Sequence, residues 1–283
     1  MKIGLILAQV DRGAKVDVAQ AAEALGYDSI WVGEHVVLPA VEKDSHPYGR
    51  PGLVQPFGQT LEPFTELAYL AGRTQRIRLA TGVILLPIRN LFSTARQIAT
   101  LDLFSDGRLD VGIGVGWHAG EFELMGADFA TRGAHADEFL DALSLLFTER
   151  TPSFSGDHIA FEPVGFEPKP LQYPRPPVLV GGDTLPAMRR AARRGDGWYG
   201  HANSPEQARE RIDAVKGLLA AQHRTGAAFQ QIVQVWDPPE PEALEAYAAA
   251  GADRLVTAPF KPGDGDPVKV ITEYARRVGL KAV

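Results

Sequence analysis

The sequence contains no cysteine among its 283 residues. Disulfide bonds, thiolate metal sites and cysteine nucleophiles are therefore excluded, because each of them needs a sulfhydryl group. A G-x-S-x-G motif is also absent, so the usual signature of a serine hydrolase is missing. Neither internal repeats nor low-complexity tracts occur, and the sequence shows no domain boundary.

A long hydrophobic run and an excess of basic charge are missing as well. The apolar N-terminal stretch MKIGLILAQV is too short to span a membrane and lacks a small-residue cleavage site, so it predicts a buried first strand. The net charge is −6, whereas a nucleic-acid-binding surface normally needs a basic stripe. We therefore expect a cytoplasmic protein that binds neither membranes nor nucleic acid.

Hydrophobic residues make up 45% of the chain, which is enough to fill a barrel and a surrounding ring of helices. Strand-like apolar runs alternate eight times with segments of helical period. The predicted strands are Lys2–Ala8, Ser29–His35, Arg78–Leu86, Arg108–Trp117, Val178–Gly182, Gly197–His201, Gln231–Trp236 and Arg254–Pro259. This order predicts a single-domain (β/α)8 TIM barrel over residues 1–283, a fold that uses about 250 residues. A doubly wound open sheet is the alternative.

Helix boundaries are marked by caps and prolines. Ser204 is an expected N-cap, with Pro205 at the first helical position. The segments Leu185–Asp196, Pro241–Ala252 and Pro267–Gly279 complete the predicted set of helices.

Two segments are longer than ordinary connections, and long loops in compact domains are usually functional or inserted. Val36–Leu61 follows the second strand, so we expect it on the catalytic face of a barrel. Its apolar residues favour a partly apolar small-molecule substrate; those in it or just beyond it are Tyr48, Leu53, Phe57 and Phe64. Arg150–Pro177 is a proline-rich insertion whose side of the barrel the sequence leaves open.

Glu34 and His35 close the second predicted strand, at the expected mouth of the barrel. A histidine there can exchange a proton with a substrate oxygen near neutral pH. The alternative is a structural histidine satisfied by backbone groups. His118 and Glu121 are three residues apart on a predicted helix, but no third ligand is suggested, so we expect no metal site.

A glycine series, Gly112-x-Gly114-x-Gly116-Trp117, ends the fourth predicted strand. It does not have the G-x-G-x-x-G spacing of a dinucleotide-binding turn. Glycines along a barrel strand instead let a planar ring or the backbone approach closely. Trp117 either stacks on such a ring or packs in the core.

Gly82 interrupts an otherwise apolar third strand at its centre. Glycine inside a strand often marks a bulge or a close backbone approach. Further along, Gly181, Gly182 and Asp183 form a strand-to-helix turn that could present backbone N–H groups to a phosphate, and His201 could add a hydrogen bond. An ordinary structural turn would have a similar sequence.

Five stretches together resemble the luciferase-like monooxygenase superfamily, and more closely its branch that depends on the deazaflavin coenzyme F420. They are GYDSIWVGEH (26–35), RLATGVILLP (78–87), QIATLDLFSDGRLDVGIGVGW (97–117), FEPKPLQYPRPPVLVGG (166–182) and RRGDGWYG (193–200), in the family's order. The resemblance implies a barrel that holds a reduced flavin or deazaflavin at its mouth. Relatives commonly form homodimers, so the resemblance also implies one here.

The resemblance also implies roles for individual residues. Glu34 and His35 match an acidic–histidine pair beside the ring and the substrate. The matches for cofactor binding are Thr81, Gly82 and Val83, which form a bulge that often contains a cis non-proline peptide; Gly114, Val115, Gly116 and Trp117, which form a wall; and Gly181, Gly182, Asp183 and His201, which receive the phosphate. Some deazaflavin relatives have Thr or Ser at the positions of Val115 and His201.

Three functions fit these residues. The first, which the resemblance favours, is hydride transfer between coenzyme F420 and a small organic substrate. The second is an FMN-dependent monooxygenase that uses molecular oxygen. The third is a flavin-binding barrel without catalysis, which Glu34 and His35 argue against.

Overall fold

The computed structural model describes residues 1–40, 60–202, 204–225, 228–260 and 265–282. Within them, the strands are β1 (Lys2–Ile6), β2 (Ser29–Val32), β3 (Arg78–Thr81), β4 (Ile84–Leu85), β5 (Leu109–Gly114), β6 (Phe154–Ser155), β7 (Ala160–Phe161), β8 (Val178–Gly181), β9 (Gly197–His201), β10 (Gln230–Gln234) and β11 (Arg254–Thr257). The helices are α1 (Lys15–Leu25), α2 (Pro63–Ala71), α3 (Leu91–Phe104), α4 (Ala119–Leu124), α5 (Arg132–Thr148), α6 (Leu185–Arg194), α7 (Pro205–Ala221), α8 (Pro241–Ala249) and α9 (Pro267–Arg277).

The main sheet closes on itself. Its parallel strands follow the order β3-β2-β1-β11-β10-β9-β8-β5-β4, and β3 also pairs with β5. Strands β3 and β4 together occupy one of the eight positions, so the sheet is a closed eight-stranded parallel barrel with helices around it. The predicted (β/α)8 barrel is confirmed, and the open sheet is excluded because an open sheet has two unpaired edges.

Several predicted strands are longer than the observed ones. The first ends at Ile6, the second at Val32 and the fourth at Gly114, because parallel pairing stops there. The predicted third strand, Arg78–Leu86, is divided into β3 and β4. The chain after β5 forms two helices, α4 and α5. Glu121 lies on α4 as predicted, whereas His118 is the N-cap that precedes it.

The predicted helix starts are confirmed at Leu185, Pro205, Pro241 and Pro267. Ser204 caps α7 as expected, since its hydroxyl oxygen accepts the backbone N–H of Gln207 at 3.3 Å. Helices α6, α8 and α9 end two or three residues before the predicted limits. No helix in the described part of the chain has both the length and the apolar character needed to cross a membrane.

The barrel interior is filled by side chains, as the fold requires. One cluster inside the barrel consists of Trp31, Ala80, Leu179, Tyr199, Ile232 and Val256. The rings of Trp31 and Tyr199 stack with centroids 4.7 Å apart. Near the amino ends of the strands, buried Asp110 accepts hydrogen bonds from Arg78 and Arg254. The interior is therefore closed below the mouth.

The proline-rich insertion at 150–177 connects the end of α5 to the start of β8. It contains the short antiparallel hairpin β6–β7. Glu138, in the second turn of α5, accepts the backbone N–H groups of residues 157–159 at the hairpin turn. The hairpin turn thus lies beside the beginning of α5, towards the face where the barrel strands end.

Candidate active site

The residues predicted to form the site gather at one face of the barrel. Because all barrel strands are parallel, their carboxyl ends lie on the same side, and the predicted residues are at or directly after the ends of β2, β3, β5, β8 and β9. Four of them are buried, namely Glu34, Thr81, Gly114 and His201. The other nine are partly exposed: His35, Gly82, Val83, Val115, Gly116, Trp117, Gly181, Gly182 and Asp183.

His35 contacts a carboxylate that is distant in the sequence. Its Nδ1 lies 2.8 Å from Oε2 of Glu121, in the first turn of α4. The other carboxylate oxygen of Glu121 accepts the backbone N–H of Val36 at 2.7 Å. The imidazole also lies edge-on to the Trp117 ring, with centroids 6.0 Å apart. His35 is therefore held at the mouth by Trp117, which follows β5, and by Glu121 of α4.

Glu34 points to a different group of partners. Its carboxylate forms an ion pair with Arg89 and accepts the backbone N–H of Leu85 at 2.7 Å. Arg89 also donates to Glu62 at 2.9 Å. Burial alone would lower the pKa of Arg89, but the hydrogen bonds and negative charges of Glu34 and Glu62 together outweigh it, so this pKa is raised. These contacts join the segment after β2 to the end of β4 and the segment that follows it. A direct role of Glu34 in the reaction stays a prediction.

The third strand is interrupted at Gly82 and Val83. The peptide bond between them is cis, which confirms the prediction. Both residues are partly exposed, although Thr81 and Ile84 on either side are buried. The interruption therefore leaves a partly exposed piece of backbone at the mouth, and a role of Gly82 and Val83 in cofactor binding stays a prediction.

Thr81 and the glycines of β5 pack against the interruption at Gly82 and Val83. The Thr81 hydroxyl donates to the carbonyl oxygen of Gly112 at 2.7 Å. A Cβ atom on Gly114 would lie 2.6 Å from a methyl group of Val83. The space beside Gly112 and Gly114 is therefore occupied by the backbone of Thr81 and the side chain of Val83, and no planar ring can lie there.

The chain turns sharply after β5. Gly116 has φ of +82°, in the region that favours glycine, and a Cβ there would lie 2.5 Å from the Phe122 ring. The turn brings Trp117 to the mouth beside His35. His118 caps α4, with its Nδ1 3.3 Å from the backbone nitrogen of Glu121. In the described residues no three histidine, aspartate or glutamate side chains form a group that could hold a metal ion.

The predicted phosphate region is a turn anchored to its neighbours. The carbonyl oxygen of Gly182 accepts the indole N–H of Trp198 at 2.8 Å. Asp183 accepts the backbone N–H of His201 at 3.0 Å and pairs with Arg211 of α7 at 3.2 Å. Asp183 would repel a phosphate, and the guanidinium of Arg211 offsets that charge. Arg211 is a basic group that the sequence did not single out.

Sequence reasoning also missed two residues close to His35 and Glu34. Glu121 was considered only as a metal ligand with His118, and Arg89 was not considered. Both lie within seven residues after the end of a barrel strand, so a search of the charged residues in those segments would have found them. Phe64, predicted near the substrate, is buried at 4% exposure, and the guanidinium of Arg89 lies over its ring. Tyr48, Leu53 and Phe57 lie outside the described residues.

A closed parallel barrel with a histidine and a buried carboxylate at the carboxyl ends of its strands defines this protein as a TIM barrel with a candidate active site at its mouth. The family model described as luciferase-like monooxygenase matches residues 5–266. The chain therefore belongs to the luciferase-like monooxygenase family, and the resemblance found in its sequence is confirmed.

The similar proteins include one whose name states FMNH2 dependence and one whose name states F420 dependence. An uncharacterised protein of Mycobacterium tuberculosis is 33% identical over 262 residues, covering 90% of this chain and 91% of the relative. An FMNH2-dependent dimethylsulfone monooxygenase of Pseudomonas putida is 31% identical over 155 residues, covering 54% and 42%. The structure of an F420-dependent secondary alcohol dehydrogenase matches with a TM-score of 0.79 at 16% identity, covering 98% of each chain. At that identity the likeness concerns the fold alone.

Proposed function

We propose that this protein transfers hydride between coenzyme F420 and a small organic substrate, with His35 as the acid–base group. The observation that carries the proposal is the His35 imidazole at the barrel mouth, engaged through Nδ1 by Glu121 at 2.8 Å. This contact leaves Nε2 as the ring nitrogen that can exchange a proton with a substrate oxygen. A positioned histidine of this kind contributes about 10²–10⁴-fold to a reaction rate.

The residues at the mouth fit a planar ring with a phosphate-bearing tail. The surface at Gly82 and Val83 would support the ring, and Trp117 would border it. The turn at Gly182, together with Arg211, would receive the phosphate. When bound, the deazaflavin supplies the hydride acceptor or donor. Among the predicted cofactor residues, buried Thr81 and Gly114 would act by supporting Val83.

An FMN-dependent monooxygenase is the second candidate. The similarity to the FMNH2-dependent enzyme of Pseudomonas putida favours it, because that relative shares 31% identity over 155 residues. FMN and the deazaflavin share ring shape and a phosphate, so the contacts at the mouth suit both. The difference is chemical, since reduced FMN activates oxygen whereas the deazaflavin mainly transfers hydride.

Direct titration of the purified protein with each cofactor, followed by absorbance or fluorescence, tests the proposal. We expect tighter binding of F420 than of FMN. Equal or reversed affinity, together with steady oxygen consumption in the presence of reduced FMN, would favour the monooxygenase. Failure to turn over either cofactor would favour a non-catalytic barrel. The homodimer implied by the family is tested separately by light scattering after size-exclusion chromatography.

A further inference from the structure

Glu121 is a buried carboxylate with two partners in one short segment. Its side chain is 1% exposed, and its oxygens contact Nδ1 of His35 and the backbone N–H of Val36. An unpaired buried carboxylate is costly, so hydrogen-bond donors are needed at this position. The imidazole of His35 and the backbone after β2 supply them.

The chemistry of the contact determines where the proton of His35 lies. An ionised carboxylate only accepts hydrogen bonds, so a 2.8 Å contact with Nδ1 needs a proton on that nitrogen. A neutral imidazole carries one ring proton, and Nε2 is then an acceptor. Glu121 thus selects the tautomer as well as the orientation of the ring.

We propose that Glu121 is a positioning residue that presents the unprotonated Nε2 of His35 to the substrate, a role that rests on the proposed function. With an alcohol substrate, Nε2 of His35 would accept the hydroxyl proton as the carbonyl group forms. The electron pair of the C–H bond would leave as hydride, for which a bound deazaflavin would be the acceptor. The resulting imidazolium is stabilised by the Glu121 carboxylate across the Nδ1 contact. In the reverse direction the proton returns to the substrate oxygen.

The alternative to a positioning role is that Glu121 only stabilises the packing of the segment after β2 against α4, through its hydrogen bond with Val36. The substitution Glu121→Gln separates the two roles. The glutamine oxygen can still accept the backbone N–H of Val36, so this stabilising hydrogen bond remains. Its amide nitrogen faces Nδ1 of His35 as a donor, and this favours the tautomer protonated at Nε2. The size and shape of the side chain at position 121 are kept, while the preferred tautomer of His35 is reversed.

The first measurement is histidine nitrogen NMR on the cofactor-free protein labelled with ¹⁵N-histidine. The signals of His35 are assigned by their loss in His35→Asn. In the wild type at a pH where the ring is neutral, we expect Nδ1 to be protonated and Nε2 to be unprotonated. In Glu121→Gln we expect the reverse. Glu123→Gln is the matched control, because Glu123 lies on the same helix and is exposed.

The second measurement is the steady-state kinetics of the same variants with the cofactor that the titration selects. Glu121→Gln is expected to lower kcat about 100-fold or more, as a wrongly placed proton does in other histidine–carboxylate pairs. KM should change less than about threefold, because the interaction acts on the reaction step. The melting temperature should stay close to that of the wild type.

The proposal is overturned if His35 keeps its proton on Nδ1 in Glu121→Gln, or if kcat there equals that of Glu123→Gln. A wild type inactive with both cofactors would instead contradict the proposed function. The NMR result then decides the positioning role by itself, since it needs neither cofactor nor substrate.

Discussion

The carbonyl oxygen of Thr81 occupies the place that a side chain on Gly112 would need. An ideal Cβ at Gly112 would lie 1.9 Å from that oxygen, and the Thr81 hydroxyl donates to the Gly112 carbonyl oxygen at 2.7 Å. The end of β3 is therefore pressed against β5 immediately before the interruption at Gly82 and Val83.

The substitution Gly112→Ala tests this contact. Because the opposing atom is backbone, it has no rotamer with which to move away, and we expect the free energy of unfolding to fall by about 3 kcal/mol or more. Urea denaturation measures the change. Gly217→Ala is the control, since Gly217 lies within α7 with nothing within 4 Å of a Cβ there, and alanine should stabilise that helix by about 0.5–1 kcal/mol. Equal effects of the two substitutions would contradict the tight packing at Gly112.

His35→Ala should leave the fold intact and lower turnover at least about 100-fold, the scale of a lost acid–base group. Steady-state assays and circular dichroism measure the two properties. His158→Ala, at an exposed position in the hairpin turn, serves as the control. Full activity of His35→Ala, or its unfolding, would assign His35 a structural role.

Glu34→Ala should destabilise the protein by about 3–5 kcal/mol, because it leaves Arg89 without its buried partner. Glu62 is the other partner of Arg89, and the side chain of Glu62 is 41% exposed. Glu62→Ala removes this partner and also the N-cap of α2. We expect a cost of about 1 kcal/mol there. Chemical denaturation of both variants measures the two changes in the free energy of unfolding. A change in Glu34→Ala no larger than that in Glu62→Ala would refute the structural role of the Glu34–Arg89 pair.

His135, in the first turn of α5, should make stability depend on pH. Burial lowers the pKa of His135 below 6.5, and the neighbouring His158 lowers it further, while Glu138 opposes both. The unfolded chain then binds more protons than the folded protein. The free energy of unfolding is therefore expected to fall as the pH drops through about 6.5 and to level off below the folded-state pKa.

Urea denaturation of the wild type and of His135→Gln between about pH 7.5 and about pH 5, a range that includes the ordinary pKa of histidine, measures this dependence. The variant should lose less stability on acidification than the wild type. His223→Asn is the control, because His223 is exposed and its φ of +55° suits asparagine. The same slope in His135→Gln and in the wild type would disprove the assignment.

The sequence alone determined the barrel and several local features. Eight apolar runs separated by helical segments predicted a (β/α)8 barrel, because strands covered on both faces must be apolar throughout. Ser204 and the prolines at 205, 241 and 267 fixed where helices begin, since caps act within a single turn. Gly82 marked the interruption of the third strand, because glycine is the residue that weakens a strand locally.

The tertiary structure decided which side chains meet. The neighbour of His35 in the sequence, Glu34, binds Arg89, and the carboxylate at the imidazole belongs to Glu121, 86 residues later. Adjacent residues at a strand end point in different directions, so proximity in the chain does not predict contact. The partner depends on the turn after β5 and the direction of α4. Such long-range distances are set by packing of the whole barrel, which no local pattern encodes.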